Sequence, residues 1–326
     1  MKTIVLCLLL MLFPATIQLL KADEHERLPK YPVQYTGYSN IAISYNGKRL
    51  PYAISSISTL PGTEVYLSSD FPDAEKIWIK ADYGIIRKTG QSDWVWNAPK
   101  KPGVYPVFIT DLKTGDQSTI NMFVLTPSSM QKGDFLNGYQ IGKYPKEPLR
   151  GNPVYLPPKG FIEVTRENMH TQVSPNFKLS QFLCKQEGGF PKYLILSEDL
   201  LHQLEYILAR VREKGYTPPT LTIMSGYRTP YYNKRIGNGA YSRHIYGDAA
   251  DIFIDTNPSN GMMDDLNGDG KVNREDARIL FDLIEDIQLS TDNDIGLGGL
   301  GLYSKRPWRG PFVHVDARGH KARWFK

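Results

Sequence analysis

The stretch "SGYRTPYYNKRIGNGAYSRHIYGDAADIFID", residues 225–255, decides how the C-terminal half of the chain is read. It sets Arg228, His244 and Asp251 among small residues, with few of the Lys and Glu that a solvated face carries. Upstream, "LTIMSG" (221–226) reads as a buried strand that stops at Gly226. Downstream, "AADIFID" (249–255) reads as a second strand, opened by two small alanines. His244 and Asp251 are seven residues apart. One helix would nearly stack them, but Gly247 favours a loop that runs into the strand. Polar side chains on loops hung from strand ends are a common way to build a functional site.

Working outward, "SEDLLHQLEYILARVREKG" (197–215) predicts an amphipathic helix. Ser197 is its N-cap, Leu200, Leu201, Leu204, Ile207, Leu208 and Val211 form its apolar face, and Gly215 ends it. His202 lies off that face and reads as solvated. Near the end of the chain, "GPFVHVDARG" (310–319) reads as a short strand in which His314 alternates with Val313 and Val315. A hydrolytic zinc site needs three protein ligands and an open position for water. With 6 histidines in the chain, His244, Asp251 and His314 are the candidates. A lone histidine on an apolar strand is more often a satisfied core residue, so spacing alone leaves zinc and core packing both open.

Taken in order, "SGYRTP", "SRHIYGDAADI" and "FVHVD" resemble the zinc D-alanyl-D-alanine carboxypeptidases of the peptidase M15 family, and most closely its murein endopeptidases that end in His-Val-Asp. The resemblance spans residues 160–326. It implies an α+β domain with a central antiparallel sheet and flanking helices. The family pattern S-x-H-x-x-G-x-A-x-D falls on Ser242, His244, Gly247, Ala249 and Asp251. It implies His244 and Asp251 as zinc ligands and His314 as the third. It also implies that Arg228 holds a substrate carboxylate or stabilises an oxyanion, either of which suits a guanidinium. Many relatives carry Glu or His shortly before the last ligand, but "KRPWRGPFV" (305–313) has neither. Asp316, on the same strand face as His314, is then the candidate general base, and Asp248 a weaker one. Asp316 as third ligand, with His314 behind it, is the alternative. Ser242 fixes the loop rather than attacking. Tyr227, Tyr231 and Tyr232 either line the cleft or pack, and loops 229–241 and 296–310 would build its walls.

"DLNGDGKVNRED" (265–276) matches a calcium loop of EF-hand type and resembles the dockerin form. Asp265, Asn267 and Asp269 take positions 1, 3 and 5, Gly270 makes the turn, Lys271 offers its carbonyl, Asn273 takes position 9 and Asp276 position 12. The bland alternative is a surface turn rich in Asn, Asp and Gly. A calcium ion here would be structural.

The N-terminal half reads differently. Lys2, an apolar run from Thr3 to Leu20 and Lys21 make residues 1–22 an export signal or a membrane anchor. Residues 23–125 read as an all-β, immunoglobulin-like sandwich. "IAISYNGKRLPYAI" (41–54) carries the hairpin signal Asn46-Gly47. Tyr105, Val107 and Ile109 alternate toward a turn at Thr114-Gly115, and Ile120, Met122 and Val124 alternate after it. Trp78, Trp94 and Trp96 are either a stacking platform or core packing. Residues 126–159, with six prolines and four glycines, read as a linker that floats or wraps on a neighbouring domain.

The chain has 326 residues, 41% hydrophobic and 22% charged, enough for about two globular domains. A net charge of +5 is too weak and diffuse to argue for nucleic acid, yet it suits a carboxylate-rich surface or substrate. Of the 2 cysteines, Cys7 lies in the signal and Cys184 reads as a buried structural thiol. A cysteine transpeptidase is excluded, because Cys184 has no neighbouring His. The resemblance therefore implies an exported, periplasmic or envelope-associated zinc peptidase that cuts D-amino-acid-containing bonds of peptidoglycan, with the β domain docking it on wall or protein. The alternative is a peptidoglycan-binding protein of the same fold that has lost its base.

Overall fold

The computed structural model describes residues 37–70, 74–290 and 295–326. The expected signal or anchor, residues 1–22, lies outside the described residues. The described residues form one compact, mixed α+β unit. Among the described residues no helix is long and apolar enough to cross a membrane.

Two facing sheets build the N-terminal part. One has the strand order Lys48–Tyr52, Tyr38–Tyr45, Glu64–Ser69, Asp93–Asn97, Ile85–Lys88. The other runs Ile54–Thr59, Gln117–Val124, Gly103–Asp111, Ile77–Ala81. The hairpin at Asn46-Gly47 forms as its sequence dictates. Tyr45 pairs with Lys48, and both turn residues take positive φ, 47° and 77°. Alternation supplies the core between the sheets: Ile41, Ile43, Val65 and Leu67 from one, Ile57, Val107, Ile109, Ile120 and Met122 from the other. Trp94 and Trp96 belong to that core, while Trp78 is exposed, so the three do not form a platform.

The Pro/Gly-rich segment wraps rather than floats. Thr126 and Pro127 pair with Phe161 and Gly160, and Leu136, Tyr139 and Ile141 are buried in the C-terminal core. His202 is not simply solvated. Its Nδ1 lies 3.0 Å from the Tyr52 hydroxyl, so this helix docks on the N-terminal sheets.

The helix Glu198–Glu213 is capped by Ser197, whose hydroxyl accepts from Asp199 N at 3.2 Å. It packs beside the helix Arg274–Leu289, which covers the sheet that carries the site. That sheet has the order Thr222–Ser225, Ala249–Phe253, Phe312–Asp316, Gly299–Tyr303, Ala322–Phe325. All neighbours are antiparallel except the last pair, which is parallel. The strand Thr222–Ser225 is half-buried rather than buried, because it lies at the sheet edge.

Candidate metal centre

Register brings the site together. Asp251 pairs with His314 across neighbouring strands, Ser225 pairs with Asp251 on one side, and Gly301 with His314 on the other. Directly opposed residues share a face of the sheet, so Ser225, Asp251, His314 and Gly301 form one row. His244 reaches that row from the one-turn helix Arg243–Tyr246. Gly247 ends the turn with φ of 73°, and a Cβ there would lie 2.3 Å from the Ile195 carbonyl oxygen. Only glycine meets both conditions.

The inner atoms are His244 Nε2, His314 Nδ1 and Asp251 Oδ1. Their separations are 3.1 Å between the nitrogens, 2.9 Å from His314 to Asp251 and 3.3 Å from His244 to Asp251. A tetrahedral ion bound at ~2.0 Å holds its ligand atoms about 3.3 Å apart. Among the described residues, these three are the one His/Cys/Asp/Glu group close enough to hold a metal.

Protonation sharpens the fit. His244 Nδ1–H donates to the Gly226 carbonyl at 2.7 Å, and His314 Nε2–H donates to Asp316 Oδ2 at 3.0 Å. Both inner nitrogens then carry lone pairs, and the oxygen they face is an acceptor too. With His314 deprotonated, three buried acceptors converge with no donor among them, so the site attracts a cation, either a proton on His314 or a metal ion. The metal-free pKa values express this. Burial opposes charge on His314, but its hydrogen bonds to Asp251 and Asp316 outweigh burial and carry the imidazole up to about 9. Burial pulls His244 down, with Asp251 opposing. Burial would raise Asp251, but His244, His314 and Arg228 together hold it well below the usual carboxylate range.

The remaining sequence candidates take distinct places. Arg228 is committed to Asp251: its Nη2 donates to Asp251 Oδ2 at 2.5 Å and its Nε to Ser225 Oγ at 2.8 Å. Asp316 is fully buried and stands behind His314, away from the inner atoms. It accepts from Arg318 Nε at 2.7 Å and Nη2 at 2.6 Å, and from Gly299 N at 3.0 Å. Burial would raise its pKa, but His314 and Arg318 hold it far below the usual range. A carboxylate so placed orients a ligating histidine. Asp248 forms a buried bidentate pair with Arg243, and burial still pushes it up to about 6. The guanidinium of Arg243 also lies 4.6 Å and 4.8 Å from the rings of Tyr155 and Tyr246. Ser242 precedes the turn and makes no capping bond. Tyr227 packs, 1% exposed, with its hydroxyl 3.0 Å from that of Tyr144. Tyr231 and Tyr232 are half-buried. Cys184 is buried, and burial pushes its thiol up, as a structural cysteine requires.

The calcium-type loop is organised by its own acids. Asp265 accepts from Gly268, Asp269 and Gly270 N, and Asn267 from Asp269 N. Asp269 accepts from Lys271 N, and Asp276 from Leu266, Asn267 and Asn273 N. The backbone thus uses these oxygens, and the loop leads straight into the helix Arg274–Leu289.

Several site residues escaped sequence reasoning. The indole of Trp324 packs 5.0 Å from the His314 ring and donates to the Tyr303 hydroxyl at 3.0 Å. It fits because Gly301 has no Cβ, which would lie 2.3 Å from Trp324 Nε1. Gly299 likewise clears Asp316, whose Oδ2 a Cβ would meet at 2.2 Å. Alternate glycines in "GLGGLGLY" (296–303) on one strand were the available signal.

The chain matches no curated protein. Residues 175–266 match the family model described as Peptidase M15, a segment that holds Arg228, His244, Gly247 and Asp251 but stops short of His314. That segment is similar to the peptidase M15 family, and the match covers less than a third of the chain.

Proposed function

We propose that this protein is an exported zinc metallopeptidase that hydrolyses D-amino-acid-containing peptide bonds of bacterial peptidoglycan. One observation carries the reading: the three convergent buried acceptors of His244, Asp251 and His314, which need a cation between them. The family match supports the peptidase class. When bound, zinc supplies Lewis acidity, bringing water to a pKa of about 7 and polarising a carbonyl.

The chain's own groups do the rest. Gly226 and Asp316 fix the two imidazole tautomers. Arg228 holds the outer oxygen of Asp251, so that the inner oxygen faces the ion. Asp316 acts as the orienting partner of His314 rather than as the base.

The test measures metal content of the purified chain and cleavage of murein fragments, with and without a chelator. Stoichiometric zinc and chelator-sensitive release of D-amino-acid peptides are expected. A chain that binds no zinc refutes the reading. A zinc-loaded but inert chain favours the second reading, a peptidoglycan-binding protein. That reading draws on the engagement of both Asp316 and Asp248 in buried ion pairs, which leaves no base among the sequence candidates.

The 265–276 loop we read as a structural calcium site on its sequence positions. Added calcium is expected to raise Tm, and Asp265→Ala to remove that response. Docking of the N-terminal sheets on wall or protein, and the periplasmic or envelope location, are further parts of this proposal. They draw on the export-type segment of residues 1–22 and on the family's substrate.

A further inference from the structure

The SGYRTP motif makes Arg228 the arginine expected to hold a substrate carboxylate. The structure spends that guanidinium on Asp251 and Ser225. A second arginine stands beside the same row of residues.

Phe312 is two residues before His314 on one strand, so both project from the same face, about 7 Å apart along the chain. Tyr303 pairs with Phe312 across the strands, and the rings stack at 4.4 Å. The guanidinium of Arg309 lies on that platform, 4.5 Å from the Phe312 ring and 5.7 Å from that of Tyr303. Its Nη1 donates to the carbonyls of Ser304 at 2.8 Å and Gly310 at 3.2 Å. Those two bonds and the ring hold the group in place.

Among the described residues no carboxylate pairs with this charge, and the side-chain hydrogen bonds of Arg309 all come from Nη1. Arg309 is half-buried, and burial first, then nearby Arg306, pull its pKa down against the weaker opposing pull of Asp251 and Tyr303. Its stacking on Phe312, which shares a face of the strand with His314, places it on the metal-centre side. An immobilised, unpaired guanidinium with two N–H groups to spare matches the two oxygens of a carboxylate.

We propose that Arg309, on the Tyr303–Phe312 platform, is a specificity-determining residue that binds a carboxylate of the substrate within one residue of the scissile bond. The spacing suits this. In a peptide, the carboxylate that follows a scissile bond lies within a few ångströms of the scissile carbonyl. A hydrogen bond of ~2.9 Å then suits a guanidinium stacked on the Phe312 ring, two residues along the strand from His314. Two sources offer that group: the free C-terminal carboxylate of a terminal residue, or an acidic side chain at that position. The inference rests on the peptidase reading for its substrate class, but binding tests it without turnover.

The experiment titrates the zinc-loaded full chain with three N-acetylated D-alanyl dipeptides by calorimetry. One ends in D-alanine free acid, one in D-alanine amide, and one in D-glutamate amide. Wild type is expected to favour one acid over the neutral amide by about 10- to 100-fold. Preference for the free acid identifies a terminal carboxylate, and preference for the D-glutamate peptide identifies a side chain. Arg309→Ala is expected to erase the preference and leave amide binding unchanged, while Arg309→Lys retains part of it. Zinc content and Tm are read on each variant to confirm an intact fold. Equal binding of all three peptides by wild type, no binding of any, or an undiminished preference in Arg309→Ala overturns the inference. Murein cleavage by the same samples reports separately on the proposed function.

Discussion

Replacing Asp316 by Asn separates two roles a carboxylate beside a metal can play. In the structure Asp316 is 0% exposed, accepts from His314 Nε2 at 3.0 Å and pairs with both Nε and Nη2 of Arg318. The amide keeps the shape and one acceptor oxygen but removes the charge. His314 then loses the anion that makes its ring basic and fixes its tautomer. Outer partners of this kind contribute 10- to 100-fold in metal affinity, about 1.4–2.7 kcal/mol. The fold suffers as well, because Arg318 is left without its partner. Its side chain is 18% exposed, so the cost lies near the lower end for a broken buried pair, about 3 kcal/mol. Competition against a chromophoric chelator measures zinc affinity directly, on samples whose folding is checked by circular dichroism. Asp316→Asn is expected to bind zinc 10- to 100-fold more weakly, with turnover recovering at saturating zinc. Were zinc affinity unchanged while turnover collapsed at every zinc concentration, Asp316 would be the general base and our placement of it wrong.

Zinc affinity should depend on pH in a defined sense. The metal-free His314 pKa is raised to about 9, so below that pH zinc must displace a proton. Apparent affinity is expected to fall about tenfold per pH unit from 9 toward neutrality, with proton release visible by calorimetry in buffers of different ionisation enthalpy. The raised pKa contributes stability to the metal-free chain that is fully present below about 6.5 and is lost as pH rises through about 9; a denaturation series in chelator checks this. Gly247→Ala places a Cβ 2.3 Å from the Ile195 oxygen at φ of 73°, and should cost more than about 2 kcal/mol, read as a Tm several degrees lower. Cys184→Ala should leave peptidase activity intact, since the thiol is buried with its pKa raised; loss of turnover in a folded sample would point to a thiol mechanism.

Local rules account for what was legible in advance. The hairpin at Asn46-Gly47, the helix after Ser197 and the alternation at Val107, Ile109, Ile120 and Met122 depend on neighbours in the chain, and each appears where the residues imply. His244, Asp251 and His314 were also named from the residues, since their motifs are short and ordered. Their convergence to within 3.3 Å was not, because it depends on strand register across 63 residues between Asp251 and His314. Tertiary structure alone could assign Arg228 to Asp251, Asp316 to Arg318 and His202 to Tyr52. A charged side chain chooses its partner by distance after folding, and sequence separation carries no such distance. The free cation of Arg309 emerges by the same reasoning: composition counts arginines, but only packing shows which of them has been left without a counter-charge among the described residues.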